Sequence, residues 1–591
     1  MKNLLMNHQI KNHMQRHLKI VFILVGSLCS VNVFAQEKSK DTLESGTVNV
    51  VKPYTPSVND AFKVKETPNL EDENNSIKKE VKYNIFSFPV ASTFTPAKGK
   101  AAEVDKAKPI KLYDNYATLG AGTYTSVLGD IYLNHAISRN ESVGGYFSHQ
   151  SSQGGIKNVL TDDYYYITKL KANYSQKLRD LSWNVYGGFE HQVYNWYGLP
   201  QPMFNQAMAD TLDVSHTFYD VYVGGNLDFE DTYINSGQVL FRRFGDNSGS
   251  GENHFTAKAT VDVPVADEEI STLLHVDYLG GSFDRNYFTT DEINYGNFQI
   301  GLSPTYQLRQ DDLTLNLGVS LYYLNDTENN ENKFYIYPNI TATYRVVNDV
   351  LIAYGGIEGG LVQNTYHRFA NDNPFVSPTL GIRPSDRQYD AYVGLKGKLS
   401  NSMSYNISGK YKAERFKALF KNNEIRTSSA TEDYHYGNSF GVVYDNVNTY
   451  SLAGELNVDI NRNFTMTLKG EYFGYSTDFE EEAWNLPDFK ASLFLDYQID
   501  EHWFAGANLY FVGQRKDQMV LEGSLIPEPL ITMVTLDSYF DANAHVGYHV
   551  NDRWSVFLKG NNIANNDYQR WMNFQVQGIQ LLAGATYKFD F

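Results

Sequence analysis

Cysteine is nearly absent from this chain of 591 residues: Cys29 is the single one. It falls inside an apparent leader, so the chain that remains after cleavage has none, and disulfides and thiolate chemistry are excluded. Long apolar runs are equally scarce. Beyond the first forty residues nothing approaches the run of about eighteen that a membrane-crossing helix needs. Positive charge is in deficit, with 50 Lys and Arg against 68 Asp and Glu and a formal net charge of −18. An acidic chain is a poor partner for phosphate backbones, so nucleic acid is excluded as a ligand. Proline numbers only 17, and six of these (Pro53, Pro56, Pro68, Pro89, Pro96 and Pro109) crowd into one early segment.

The first residues carry Lys2, Lys11, Arg16 and Lys19, then an apolar run from Ile20 to Leu28, then Val33-Phe34-Ala35. A positive region, a short apolar core and small residues describe a secretory leader cut near Ala35, whose loss takes the net charge to −22. Residues 36–112 follow as a Pro-punctuated tail with mixed charge, expected to be periplasmic or lumenal. Within it Thr47-Val48-Asn49-Val50-Val51 is a candidate docking segment.

What the sequence has in quantity is aromatic: 44 Tyr and 35 Phe, beside 44 Gly. From about Asp114 onward these sit in runs with two-residue alternation, the period of a strand with one apolar face. In the last run Ala583, Ala585, Tyr587, Phe589 and Phe591 alternate with Leu582, Gly584, Thr586, Lys588 and Asp590. The mean hydropathy of −0.42 is compatible with a membrane protein only if strands cross the bilayer, since half of each barrel strand is polar. Short connections (Ser138–Ser142, Leu178–Leu181, Ser400–Ser402, Val550–Arg553) alternate with long polar ones (Tyr197–Leu212, His367–Arg387, Ala418–Glu432, Arg515–Ser538). Such alternation is the pattern of an outer-membrane barrel with tight periplasmic turns and long outer loops.

Runs counted one by one come out odd, whereas a barrel with both ends in the periplasm needs an even number. The odd count hinges on the polar break Asp445–Asn448. Phe440, Val442 and Tyr444 before it share parity with Tyr450, Leu452 and Leu456 after it, so the two runs merge into one long strand. The fold expected is all-β: a large antiparallel transmembrane barrel over 113–591, of about 22 strands, behind a short Pro-rich tail. Trp183, Trp503 and Trp554 each follow a short turn, as an interfacial aromatic girdle requires. Trp196, Tyr164–Tyr166, Tyr194–Tyr197 and Trp484 read as anchors or loop aromatics towards the other side.

No catalytic or metal motif emerges, and neither enzyme activity nor a cofactor is expected. Gly245–Glu252 lacks the acidic spacing of a calcium loop and reads as a flexible loop. Glu480-Glu481-Glu482 reads as a solvated loop tip. His216 with Asp220, and His435 with Asp433, are rim pairs from which no nucleophile, base and orienter can be assembled.

The segments Phe540–Ala544, Trp554–Gly560, Asn561-Asn562-Ile563-Ala564-Asn565-Asn566-Asp567-Tyr568, Gly578 and Gly584–Phe591 resemble the end of a TonB-dependent receptor barrel. Trp484–Pro487 and Tyr510–Arg515 are similar to its preceding strands. The resemblance implies a 22-stranded barrel in the outer membrane. It makes Tyr587, Phe589 and Phe591 a signal for the barrel-assembly machinery, and Thr47–Val51 similar to the motif that engages TonB. The chain departs from the family at its start, where the tail 36–112 is shorter than a plug domain and lacks its strands and glycine turns. The functions expected are transport across the outer membrane by a plug-less barrel with lumen-facing Thr586, Lys588 and Asp590, or service as a subunit of an outer-membrane complex whose tail docks a periplasmic partner.

Overall fold

The computed structural model describes residues 111–230, 232–265, 268–426, 432–522 and 529–591. The leader, nearly all of the tail and the segment Thr47–Val51 lie outside the described residues. The described residues form one antiparallel sheet of 22 strands, with two small two-stranded sheets and short helices in its connections. The first strand, Asn115–Gly122, pairs with the last, Gln580–Phe589, through a register running from Asn115 opposite Phe589 to Gly122 opposite Leu582. That pairing closes the sheet into a barrel with no free edge. The strand Phe440–Asn461 runs unbroken for 22 residues through Asp445–Asn448, so parity did identify one strand there.

The short connections are built by side chains that imitate backbone turns. Asp500 Oδ1 accepts from the amides of His502 and Trp503, both at 2.7 Å, and these bonds hold its carboxyl below the usual carboxylate range. Asn551 Oδ1 does the same for Arg553 and Trp554 at 2.9 Å. Ser400 and Asn461 repeat the device for Ser402 and Asn463. These caps satisfy amides that a tight hairpin leaves bare, which is why Asp, Asn and Ser punctuate this side. The first hairpin breaks the expected alternation. It lies on the long-loop side yet closes over residues 123–126, with Tyr124 and Thr125 both at positive φ.

The period-two pattern sorts the faces. On the strand Ser215–Phe229, His216, Phe218 and Asp220 are at most 2% exposed, while Tyr219, Val221 and Val223 are 44–53% exposed on the outer face. Leu119, Leu170, Val393, Leu452 and Leu558 extend this outer apolar band around the barrel. No helix among the described residues is long and apolar enough to cross a membrane; the crossing is made by strands. Trp503 and Trp554 lie at the short-turn end of the band, packed on Tyr548 and Tyr587 at 4.9 and 4.7 Å.

On the lumen face several tyrosines lie flat over glycines of the neighbouring strand. Tyr354 and Tyr392 cover Gly394 and Gly356 reciprocally, and a Cβ added at Gly394 would meet the Tyr354 ring at 2.4 Å. The missing side chain is therefore what lets each ring lie along the wall instead of projecting into the lumen. Gly394→Val is expected to displace Tyr354 from its hydrogen bond to Asn406 (2.6 Å) and to cost about 1–3 kcal/mol. A lower temperature of heat-modifiable unfolding on gels would show this. Gly454→Val, where a Cβ meets nothing within 4 Å, should behave as wild type.

Candidate functional site

At the outer end of the barrel the long connections bond to one another, and the connection between residues 363 and 384 joins them. Asn364 Nδ2 donates to Arg383 O and to Ser385 Oγ, at 2.8 and 2.9 Å, and so pins both ends of this strap at one place on the wall. From there it runs inward as a short helix, Tyr366–Asp372, with Thr365 as N-cap accepting from the amide of Arg368.

One side of the strap is anchored on the strands covering residues 215–310. Tyr366 is fully buried between the rings of Phe218, Phe244 and Phe283, at 4.9–6.0 Å. Its hydroxyl donates to Asp246 Oδ2 at 2.6 Å. Glu252, 1% exposed, accepts from the amides of Tyr366 (2.6 Å) and His367 (3.3 Å) and from the hydroxyl of Tyr295 (3.1 Å). Arg242 bonds His367 and lies 3.0 Å from Asp220. A buried carboxylate is tolerated only with such a set of donors around it.

The other side meets elements much further round the barrel. Phe375 stacks on Phe574 at 3.8 Å and touches Tyr194 and Tyr197. Val376 forms a parallel bridge with Phe440, supported by Ser377 N to Phe440 O (2.9 Å) and Phe440 N to Phe375 O (3.0 Å). Tyr444 donates to Gly381 O. Other loops join over this crossbar: Asn438 Nδ2 donates to Trp196 O across 242 residues of chain, and Tyr287 donates to Glu424 O. The cap is thus a second, aromatic core outside the membrane, built from the connections and from the outer ends of the strands that carry them.

Several sequence expectations need correction here. Gly245–Glu252 is not a flexible loop but the anchor of the strap; Asp246 Oδ1 also accepts from the amides of Ser248 and Ser250. Among the described residues no group of three or more His, Cys, Asp or Glu is arranged to hold a metal ion. Trp484 is not a loop-tip aromatic. It is 1% exposed against Leu419 and Val447, and its Nε1 donates to Glu480, which in turn pairs with Lys421 at 2.8 Å. Glu482 pairs with Lys516, so the acidic run is tied inward. Tyr194 and Trp196 belong to the cap core and anchor no interface, since Trp196 packs on His216 (4.3 Å) and Tyr434 (5.2 Å). The rim pairs are separated. His216 lies 4.0 Å from Asp246, and His435 meets Tyr287 edge-on (4.6 Å), where burial pushes its pKa down to about 4. Thr586 lies at the seam, sharing a 2.8 Å hydrogen bond with Thr118, and Asp590 accepts from Asp114 N and pairs with Lys111.

The quoted C-terminal motif has a structural meaning. Asn562 adopts positive φ, its Nδ2 donates to Asn566 O and Gln577 O, and its Oδ1 accepts from Asn566 N. Tyr568 closes the turn by stacking on Tyr539 at 3.9 Å and donating to Asp541.

Loop carboxylates give one pH-dependent element. Asp517, fully buried, accepts from the amides of Asn422 and Gln518 and from Asn485 Nδ2, and burial raises its pKa to about 6. Because the folded value exceeds the ordinary one of about 3.9, this contact is firmest below pH 4 and weakens as pH rises through 6. Hydrogen exchange at Asn422 and Gln518, corrected for intrinsic rate, should be slower at pH 5 than at pH 7.5. Asp517→Asn should abolish the difference, and an unchanged difference would contradict the assignment.

The closed 22-stranded barrel with long outer loops is the fold of TonB-dependent outer-membrane receptors. Among solved structures, the pyoverdine outer-membrane receptor FpvA from Pseudomonas aeruginosa PAO1 is similar with a TM-score of 0.59 at 13% identity, over 82% of this chain and 80% of that one. The siderophore receptor PirA from Acinetobacter baumannii gives 0.59 at 11%, over 82% and 81%. The ferric-catecholate import receptor Fiu from E. coli K12 gives 0.56 at 10%, over 80% and 82%. No protein-family model and no curated protein sequence matches the chain. At these identities the likeness is one of fold.

Proposed function

We propose that this chain is an outer-membrane barrel of the receptor type that acts in transport without a separate plug domain, its own strap and loops serving as the gate. The observation that carries this reading is the strap 363–384, which spans from strands holding Glu252 and Asp246 to Phe440 and Phe574 elsewhere on the circumference. A barrel of this circumference encloses a lumen that must be closed to keep the membrane tight. Here, among the described residues, side chains of the barrel's own connections provide closure. The tail, with Thr47–Val51 as its docking segment, engages a periplasmic partner that drives opening. Selection of substrate then rests on the cap and on lumen-facing side chains rather than on covalent chemistry.

A second reading, a structural subunit of an outer-membrane assembly, is favoured by the direct packing of the loops on one another. Planar-bilayer recording separates the two. Transport predicts brief openings of the full chain and a large steady conductance once residues 365–380 are replaced by a short Gly-Ser linker. Silence in both forms, with a stoichiometric partner that co-purifies and is lost on deleting residues 36–110, would sink the transport reading and leave the subunit.

A further inference from the structure

The long connection between the strands Trp503–Val512 and Tyr539–His549 carries its own hairpin, Arg515–Leu521 paired with Leu530–Leu536. Its first strand is held on both sides. Ile425 bridges Leu521 in parallel, with Ile425 N donating to Val520 O (2.7 Å) and Glu522 N to Ile425 O (2.9 Å). Arg515 donates to the carbonyls of Gln569 and Arg570, and Asp517 is bonded to Asn422 and Asn485. The second strand, Leu530–Leu536, pairs only with the first; no strand among the described residues lies along its outer edge.

Over its seven residues that edge lacks the charges and prolines by which proteins protect an open strand, and Pro529 stands just before it. Leu-Ile-Thr-Met-Val-Thr-Leu contains no charge, no proline and no glycine. Leu530, Ile531 and Met533 are 57, 56 and 43% exposed, and Thr532 and Thr535 are exposed as well. An uncharged, apolar edge with unpaired amides and carbonyls is a template for another strand. The rigid mounting of its partner strand means the template exists before anything binds, so little ordering free energy is lost on one side of the contact.

The occupant follows from size and charge. Seven residues give an edge roughly 23 Å long, and at the inter-strand spacing of about 4.8 Å a strip of only about 110 Å², far less than the about 800 Å² per partner of a stable protein–protein interface. Two copies meeting edge to edge would therefore not hold as a dimer, whereas a linear segment needs no more than this edge. Glu522 and Asp537 flank the two ends of the hairpin in a chain of net charge −18. We infer that Leu530–Leu536 is a docking site, on the outer face of the membrane, for an extended segment of another protein: β-branched and apolar along its length, with Lys or Arg at its ends, and added as a third strand of the hairpin.

The test uses the full chain purified in detergent and a labelled peptide of seven Val, Ile and Thr residues flanked by lysines. Saturable binding in fluorescence anisotropy is expected. N-methylation of alternate peptide amides should weaken it by about tenfold or more, as should the double variant I531K/M533K. Heat-modifiable migration checks that the variant barrel is folded, and Thr532→Lys, at an exposed position, replaces it if it is not. Absent binding, or binding unaffected by N-methylation or by the lysines, overturns the assignment. So does a wild-type dimer in analytical ultracentrifugation that the lysines render monomeric, since the edge would then belong to a second copy.

Discussion

Replacing residues 365–380 with a short Gly-Ser linker is expected to leave the barrel folded and open its outer end. The ends of the strap are already adjacent, since Asn364 bonds Arg383 O and Ser385 Oγ, so a short linker bridges them without pulling on the wall. The barrel strands depend on their own ladder hydrogen bonds and on lipid, neither of which involves the strap. The cap does depend on it. Removing Tyr366, Phe369 and Phe375 takes the partners from Phe244, Phe420 and Phe574, and large-to-small losses of this kind cost about 3–5 kcal/mol each in a packed core. A milder variant gives a graded version of the same result. Glu252→Ala leaves the amides of Tyr366 and His367 and the hydroxyl of Tyr295 without their acceptor, at about 1–3 kcal/mol for each group left unpaired. It should therefore convert a closed barrel into one with frequent openings, read as channel events and as sensitivity to a large hydrophilic antibiotic. A folded linker variant that stays silent in bilayers would show that the strap is not the gate.

How far the sequence disclosed this arrangement depends on the range of the contacts. The short turns were legible because Ser400, Asn461, Asp500 and Asn551 act on amides two or three residues away, and that chemistry is local. The strand Phe440–Asn461 was legible because parity survives a polar interruption. The polar interruption at Asp445 is an anchor: its carboxylate accepts from the amides of Asp478, Phe479 and Glu480 and holds the next loop in place. The cap was not legible. Trp196 and Trp484 are buried only by loops from distant strands, such as the one carrying Asn438, and the same loops bond Glu480 and Glu482. No periodicity records a contact made between two irregular segments. The same holds for Glu252, whose neighbours Tyr366 and His367 are more than a hundred residues away. Local pattern therefore described the part of the molecule in the membrane and missed the cap above it.

The second large effect is expected at the last residue. Phe591→Asp should leave little or no barrel in the outer membrane of cells, although the folded barrel barely uses the side chain. Phe591 is 77% exposed, lies beyond the last ladder pair, and makes edge contacts with Phe589 at 5.6 Å and His135 at 6.2 Å. An exposed aromatic contact of this kind contributes about 1 kcal/mol, too little to unfold a sheet closed by continuous ladders on both sides of Gln580–Phe589. Tyr587 and Phe589, by contrast, are built into the wall: they stack at 5.6 Å and Tyr587 packs on Trp554 at 4.7 Å. The three aromatics share one outward face, and the most dispensable of them for stability is the one at the very end. A large loss on changing Phe591 would then arise before the seam closes, as expected if the terminal aromatics are a signal read by the assembly machinery. The prediction is a split between two measurements. Refolded in detergent from denaturant, the Phe591→Asp chain should reach the same heat-modifiable form as wild type with nearly the same unfolding midpoint, while its level in cell envelopes falls sharply. Normal envelope levels would show that the terminal aromatics are no assembly signal; failure in both measurements would mean that Phe591 stabilises the closed seam itself.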